Sequence, residues 1–296
     1  MVSIVIPIFN EALGISDFLS ELELELRRET DSIEVIFVDD CSDDESVTIL
    51  NKFVEESRFT PNIVLKIMQN PTNLGYGASI KRGLRAAKYD SCAIIDSDTT
   101  YAFHELLSLI RIFNKNSHAM VVGARTGKFY QGTFTKRILR ILLKGIVEYM
   151  ANRNIPDINS GVRVFDKKLA LQDLRLLSDR FSFTTSITLV FMLKGAIVDY
   201  IPVAYRKRSG GSKIRLFSDS VRTLGLILAV SFYFNPLKVL YPITTLLTFI
   251  SFSFFLTSLF LMSGLFLISA FVFFLSALVI LSIGLLAHLL SLNLQK

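Results

Sequence analysis

The stretch Ile94-Ile95-Asp96-Ser97-Asp98-Thr99-Thr100-Tyr101 (IIDSDTTY, residues 94–101) sets two aspartates one residue apart at the end of an apolar run. Residues 92–95 read as a buried strand, and on a strand positions i and i+2 share a face. Two carboxylates converging at the open end of a strand repel each other unless something positive lies between them. A basic side chain or a divalent cation would serve, and the rest of the chain has to decide.

Working outward, residues 1 to about 125 alternate short apolar runs with longer amphipathic ones. The runs at 3–6, 34–38, 63–68, 92–95 and 119–123 are rich in β-branched residues and predict strands. The segments 15–28, 43–53, 78–88 and 102–113 are long enough for helices, including the ELELEL stretch from Glu21. Repeated βα units predict an α/β fold, a Rossmann-like and mostly parallel sheet with helices on both faces. Ligands on such sheets bind beyond the carboxyl ends of the strands. Asp96 and Asp98 sit at one such end, and Asp39 and Asp40 close the run 35–38 at another.

The rest of the chain is different in kind. The 296 residues are 51% hydrophobic with a mean hydropathy of +0.48, too apolar for an ordinary soluble domain. The excess is concentrated: from 239 to 295 there is no Asp, Glu, Lys or Arg. A spanning helix needs about 20 apolar residues, so this run predicts two membrane spans, near 240–261 and 265–289, turning at Met262-Ser263-Gly264. Two spans put both flanks on one side, and Lys238 and Lys296 mark that side as cytoplasmic. Met1 runs straight into a strand-like segment, so no secretory signal is expected. The domains expected are a cytoplasmic catalytic domain over 1–215, an interfacial helix over 216–238 and a two-helix anchor over 239–296. Lys136, Arg137, Arg140 and Lys144 fall on one side of a second candidate helix over 133–150, with Ile138, Leu139, Ile141, Leu142 and Ile146 broadly opposite. Such a helix either lies on a bilayer or packs with one solvated face. Cys41 and Cys92 form no metal motif and fit a reducing compartment. The net charge of +6 is not interleaved with aromatics as in single-strand binders, so lipid headgroups rather than nucleic acid are the expected partner.

Four groups of residues carry candidate chemistry. Pro7, Asn10 and Glu11 join Asp39 and Asp40 at neighbouring strand ends, where an aspartate can accept hydrogen bonds from a base or ribose, whereas Asp43 reads as a helix N-cap. Asn73 and Gly75, in Asn73-Leu74-Gly75-Tyr76-Gly77, precede a helix; glycines there admit a phosphate to the backbone amides or simply make a tight turn. Asp96 and Asp98, with Ser97 between them, offer the oxygen ligands that Mg2+ or Mn2+ prefers when a diphosphate completes the shell. Last come the run from Pro156 to Arg163 and the Gly/Ser-rich cationic run from Tyr205 to Lys213. The latter is either a solvated charge run or a clamp for phosphates.

IPIFNE, VDDCSDD, NLGYGASIKRG, DSDTTY, VGARTG, DINSGVRVF, FSFTTSITL and RKRSGGSKI occur in this order. Together they resemble the family 2 glycosyltransferases, and within them the dolichol- or polyprenyl-phosphate hexosyl synthases. The match runs from residue 2 to about 215, and the two C-terminal spans fit the polyprenyl-phosphate glucosyltransferase type. The resemblance implies a GT-A fold, a nucleotide-sugar donor, a divalent cation and inverting transfer. It implies that Asp39 and Asp40 touch the nucleoside, with Pro7, Asn10, Glu11, Asn73, Gly75 and Ser97 lining the donor site. It implies that Asp96 and Asp98 hold the metal and diphosphate, and that Arg125 lies near the sugar or diphosphate. Asp157 takes the place of the proposed base, Ser160 and Arg163 border the acceptor, and Arg206, Arg208 and Lys213 bind phosphate. One departure is that 183–187 (Phe-Thr-Thr-Ser-Ile) lacks the Glu or Gln that some relatives place there. There is also no tryptophan, which excludes the QxxRW motif of processive synthases and points to one sugar per turnover.

A phosphate monoester has a second pKa of about 6, so a polyprenyl-phosphate acceptor needs little deprotonation and stabilisation of the leaving group is expected to dominate. Transfer to a lipid hydroxyl such as diacylglycerol, and membrane-tethered binding of a nucleotide sugar without turnover, stand as the alternatives. UDP-sugars are favoured over GDP-mannose, and a homo-oligomer is left open.

Overall fold

The computed structural model describes residues 1–127, 134–207 and 216–294. The chain forms two compact units, Met1–Leu226 and Ile227–Lys296. In the first, strands β1 (Val2–Ile8), β2 (Ile33–Asp39), β3 (Ile63–Gln69) and β4 (Ser91–Ile94) pair in parallel and alternate with α1 (Ile15–Leu26), α2 (Ser46–Glu56), α3 (Tyr76–Ala86) and α4 (Phe103–Lys115). β1 and β2 are buried at every residue, which is why they read as continuous apolar runs rather than alternating ones. Ile4, Ile6, Val35 and Phe37 from these strands meet Phe18 and Leu22 of α1 and Leu106 and Leu109 of α4 in one core.

The chain continues through β5 (Met120–Thr126), α5 (Phe134–Ala151), β6 (Arg163–Asp166), α6 (Lys167–Gln172), α7 (Phe183–Leu193) and β7 (Val198–Ala204). The sheet order is β3-β2-β1-β4-β6-β5-β7. All neighbours are parallel except β6, which runs antiparallel to both β4 and β5. The mostly parallel α/β sheet expected from the sequence is therefore present, made mixed by one short strand. β1 lies between β2 and β4, so the sheet grows in opposite directions from β1. Such a switch point leaves a crevice beyond the carboxyl ends of the two strands. The loops after β1, β2 and β4 open there; Asp39 closes β2, and the loops carry Asn10, Asp40 and Asp96–Asp98.

Two local expectations are corrected. Asp43 does not cap α2, which begins at Ser46; Asp44 accepts the Ser46 amide at 2.9 Å instead and reaches the Ala12 amide at 3.0 Å. α3 begins at Tyr76, two residues earlier than its apolar pattern suggests.

In the second unit α9 (Pro236–Leu261) and α10 (Gly264–Leu294) form a hairpin, entered through α8 (Leu216–Phe234), which runs across the boundary between the units. Asn235 caps α9 by accepting the Lys238 amide at 3.1 Å, with Pro236 in the first turn, where its missing N–H costs nothing. Met262 turns the chain with φ 45°. Phe254 stacks on Phe266 and Phe273, and the Ser251 hydroxyl donates to the Ala270 carbonyl at 2.7 Å. Two stretches, of 26 and 30 residues, are long and apolar enough to cross a membrane. Phe249, Leu259 and Phe271 remain exposed on this hairpin. A contiguous apolar surface of that kind calls for lipid or a partner protein.

Candidate active site

β4 ends at Ile94, so Asp96 and Asp98 stand on a loop and the strand argument for a shared face does not apply to them. Side-chain hydrogen bonds set their positions instead. Asp98 is buried; its Oδ1 accepts the Thr100 hydroxyl at 2.5 Å and the Thr100 amide at 3.1 Å. The intervening Thr99 takes φ 63°. Ser97 donates to the Pro7 carbonyl at 3.2 Å, fastening this loop to the end of β1. Asp96 is half-buried, and its Oδ1 accepts the Tyr76 hydroxyl at 2.8 Å. Gly161 lies so close that a Cβ there would collide with Asp96 Oδ2.

The neighbouring loops are tied together by their own polar groups. Asn10, at φ 50°, donates its amide to Ser42 Oγ and accepts the Asp43 amide, both at 3.0 Å. The Glu11 amide donates to Ser46 Oγ at 2.9 Å. Asp39 accepts the Ser42 amide on both oxygens, at 3.3 and 3.2 Å. Asp40 is buried and accepts from Asn70 Nδ2 at 2.7 Å, the Leu74 amide at 2.9 Å and the Gly75 amide at 2.8 Å. It therefore shapes the turn after β3, although the sequence suggested direct contact with a nucleoside. Asn73 is exposed on that turn.

The glycines of this turn also serve another purpose than phosphate approach. Gly75 has φ 107°, and a Cβ on it would come within 2.5 Å of the Asp179 carbonyl; one on Gly77 would strike the Ser178 carbonyl. The segment 177–181 is pressed onto the start of α3, with the Ala78 amide donating to Asp179 O at 3.0 Å and buried Lys81 reaching Leu177 O and the Asp179 carboxylate. Phe181 stacks on Tyr76 at 5.7 Å and 18°, so the ring whose hydroxyl holds Asp96 is itself pinned.

Asp157 and Arg125 form a buried fork. Arg125 donates Nε to Oδ2 at 2.7 Å and Nη2 to Oδ1 at 2.8 Å, and its amide reaches Oδ2 at 3.1 Å. Burial alone would raise the Asp157 carboxyl, but the Arg125 hydrogen bonds and charge, helped by the Asn159 amide, outweigh it and hold the group below the usual carboxylate range. Arg125 also lies over the Tyr205 ring, 5.4 Å from its centroid, and Tyr205 packs edge-on against Tyr101. The Tyr101 hydroxyl accepts the Gly161 amide at 3.0 Å and pairs with Ser160 Oγ at 3.3 Å. Ser160 is fully buried.

Arg163 departs from its expected place beside an acceptor. It is 0% exposed on β6, and it donates to the Ser160 carbonyl at 2.6 Å, the Thr184 carbonyl at 2.9 Å and Thr188 Oγ1 at 2.8 Å. Its Nε finds no acceptor, and burial lowers its pKa from the ordinary value. It is a brace between the 157–163 segment and α7. In α7, where some relatives carry Glu or Gln, Thr185 donates to Asn159 Oδ1 at 2.7 Å, so a hydroxyl braces the same segment. Arg206 is exposed and paired with Glu21 at 2.8 Å, while its amide donates to the Thr100 carbonyl at 2.8 Å. Arg208 and Lys213 lie outside the described residues.

Sequence reasoning passed over Tyr76, Tyr101, Tyr205 and Asn70, which hold the carboxylates and the 157–163 segment. Their signal was faint: a tyrosine set between two glycines, and another three residues after Asp98.

The donor set decides which metal geometry fits. Among the described residues no group of three or more His, Cys, Asp or Glu could hold an ion. Two carboxylates on one loop suit Mg2+ or Mn2+ that takes its remaining ligands from phosphates and water, and do not suit a closed protein cage.

The model of glycosyl transferase family 2 matches residues 3–174; the chain belongs to that family and is a glycosyltransferase. A dolichyl-phosphate beta-glucosyltransferase of Dictyostelium discoideum is 22% identical over 244 residues, covering 78% of this chain and 73% of the relative. An undecaprenyl-phosphate 4-deoxy-4-formamido-L-arabinose transferase of Photorhabdus laumondii is 25% identical, covering 71% of this chain and 61% of its own length. Among solved structures, glucosyl-3-phosphoglycerate synthase of Mycobacterium tuberculosis, crystallised with Mn2+, UDP and its product, superposes with a TM-score of 0.61 at 17% identity, over 78% of this chain and 80% of that one. That likeness shows a shared GT-A fold.

Proposed function

We propose that the chain transfers a single hexose, with inversion, from a nucleotide sugar to a membrane polyprenyl phosphate, a UDP-sugar being favoured over GDP-mannose. One observation carries the reading: Asp96 and Asp98 stand at the switch-point crevice of a family 2 sheet, in a chain that also carries a hairpin able to span a bilayer. The named acceptors of the Dictyostelium and Photorhabdus relatives support a polyprenyl phosphate. The Mn2+ and UDP of the Mycobacterium structure support the donor and the ion.

Asp96 and Asp98 would hold Mg2+ or Mn2+, which when bound supplies Lewis-acid stabilisation of the departing diphosphate. Tyr76 and Thr100 hold the two carboxylates in place by donating to one oxygen of each. Arg125, fixed by Asp157, would bring positive charge to the transferring group. Arg206, Arg208 and Lys213 would add charge-assisted hydrogen bonds to phosphate. Asp157, already ionised and engaged by Arg125 and Asn159, is poorly placed to take a proton. A phosphate acceptor, largely dianionic near neutral pH, needs none taken, and this favours it over a lipid hydroxyl. In this reading residues 1–215 are the cytoplasmic catalytic domain, 216–238 the interfacial link and 239–296 the anchor, with both termini cytoplasmic.

The test is transfer of radiolabelled sugar by membranes containing the full chain. An organic-extractable, mild-acid-labile product is expected. An acid-stable, base-labile glycolipid would replace the acceptor with a lipid hydroxyl, and donor binding without transfer would leave only a tethered binding protein.

A further inference from the structure

The turn at 74–76 joins two acidic ends of the crevice. Its amides at Leu74 and Gly75 donate to Asp40, and the Tyr76 hydroxyl donates to Asp96. The segment 177–181 lies across this turn. Besides its bonds to Lys81 and Ala78, its Ser178 amide donates to Ser186 Oγ at 3.0 Å, and the Arg180 amide donates to Ser178 Oγ at 3.0 Å. The Arg180 carbonyl accepts the Phe183 amide at 3.1 Å. Arg180 is thus fixed at both its amide and its carbonyl. Its side chain runs over the turn, for a Cβ on Gly75 would lie 2.8 Å from Arg180 Cδ and 3.4 Å from its Nε.

Arg180 is exposed, and among the described residues its guanidinium has no hydrogen-bonding or ionic partner. Other basic side chains around the crevice are engaged by the protein. Asp157 takes Arg125, Glu21 takes Arg206, and carbonyls with Thr188 take Arg163. Asp179 takes Lys81, and the Gln69 carbonyl with Asn70 Oδ1 takes Arg82. The charge balance asks for a further cation. Asp96, Asp98 and a diphosphate together carry more negative charge than one divalent ion cancels, and like charges repel strongly where little water screens them. A guanidinium suits the need, because its planar fork matches two phosphate oxygens. The Arg180 arm is already packed along Gly75, so little side-chain freedom remains to be lost on binding.

We propose that Arg180 is a ligand of the donor's diphosphate, reaching it over Gly75 beside the carboxylate pair. The assignment rests on the nucleotide-sugar reading above and adds to it a residue from a segment far along the chain. It also gives the clamping of 177–181 onto α3 a purpose, which is to hold this cation at the crevice.

Two variants of the full chain in detergent test it. Arg180→Met keeps an arm over Gly75 and removes the charge, whereas Arg180→Lys keeps the charge and loses the fork. Binding of UDP, of GDP and of inorganic pyrophosphate is measured by titration calorimetry with Mn2+ present. Arg180→Met is expected to weaken UDP and pyrophosphate alike, about 10- to 100-fold, with Arg180→Lys in between. Tm should stay within about 2 °C of wild type, since the guanidinium bonds to nothing in the protein. UDP binding equal to wild type overturns the assignment, and a raised KM for polyprenyl phosphate alone would give the guanidinium to the acceptor. A loss for UDP without one for pyrophosphate also overturns it, by moving the contact to the nucleoside. A wild-type chain that binds neither UDP nor GDP refutes the donor reading itself and this assignment with it, a result distinct from wild-type binding that Arg180→Met leaves intact.

Discussion

Asp157→Asn separates an anchoring carboxylate from a catalytic base. In the structure Asp157 is buried and takes three hydrogen bonds from Arg125, at 2.7, 2.8 and 3.1 Å, and one from the Asn159 amide at 3.1 Å. Asparagine keeps one carbonyl acceptor but leaves the guanidinium without a countercharge. Breaking a buried pair from one side costs about 3–5 kcal/mol, and the retained acceptor puts this variant near the lower figure. In a unit of this size each kcal/mol lowers Tm by about 2–4 °C, so a fall of roughly 6–12 °C is expected, read by calorimetry of the detergent-solubilised chain. The pH dependence has a definite sign. The Asp157 carboxyl titrates lower in the folded protein than in the unfolded chain. Its stabilisation is therefore present above the ordinary aspartate value of about 3.9 and disappears as pH falls through the lower folded value. Asp157→Asn should accordingly lose stability at neutral pH and little below that range. Its pH–rate profile between about pH 6 and 8 should keep the wild-type shape, since the residue is ionised throughout. The opposite result, an unchanged Tm with a collapsed kcat and a lost acidic limb, would make Asp157 a general base and sink the anchoring argument.

Three further outcomes are expected. Tyr76→Phe keeps the Phe181 stack but removes the donor to Asp96; a hydrogen bond to a charged group is worth about 1.5–3 kcal/mol, so Tm should fall by about 3–12 °C, and Mn2+ affinity in the presence of UDP, followed by electron paramagnetic resonance, should weaken about 10- to 100-fold. Gly77→Ala drives a Cβ into the Ser178 carbonyl and should lower stability by about 1–3 kcal/mol; an unchanged Tm would show that the 177–181 segment yields freely. Asp98→Ala should leave a folded protein with transfer nearly abolished, and residual turnover near wild type would remove the carboxylate pair from the chemistry.

The first four strands, the helices between them and β5 were legible because each is specified by its own neighbours in sequence: apolar runs for buried strands, amphipathic spacing for helices. The α9–α10 hairpin was legible for the same reason, since a chain of 57 residues without Asp, Glu, Lys or Arg (239–295) needs no partner to declare its preference. β6 and β7 were not. β6 is four residues long and opens with Arg163, a residue that looks exposed until Thr184 and Thr188 of α7 fold over it. β7 is an edge strand with Pro202 in its middle, a residue that argues against a strand except at an edge.

The candidate site divides along the same line. The sequence alone located the residue types and their order, with Asp39, Asp40, Asp96 and Asp98 at strand ends and Asp157 and Arg163 beyond them. Which of these face the crevice and which brace it was decided by partners far away in the chain. Asp40 is taken by the turn at Leu74 and Gly75, Asp157 by Arg125, and Arg163 by α7. A carboxylate or guanidinium carries the same charge wherever it stands in a sequence. Burial and the hydrogen-bond donors and acceptors brought to it by folding determine whether that charge is spent inside the protein or presented to a ligand.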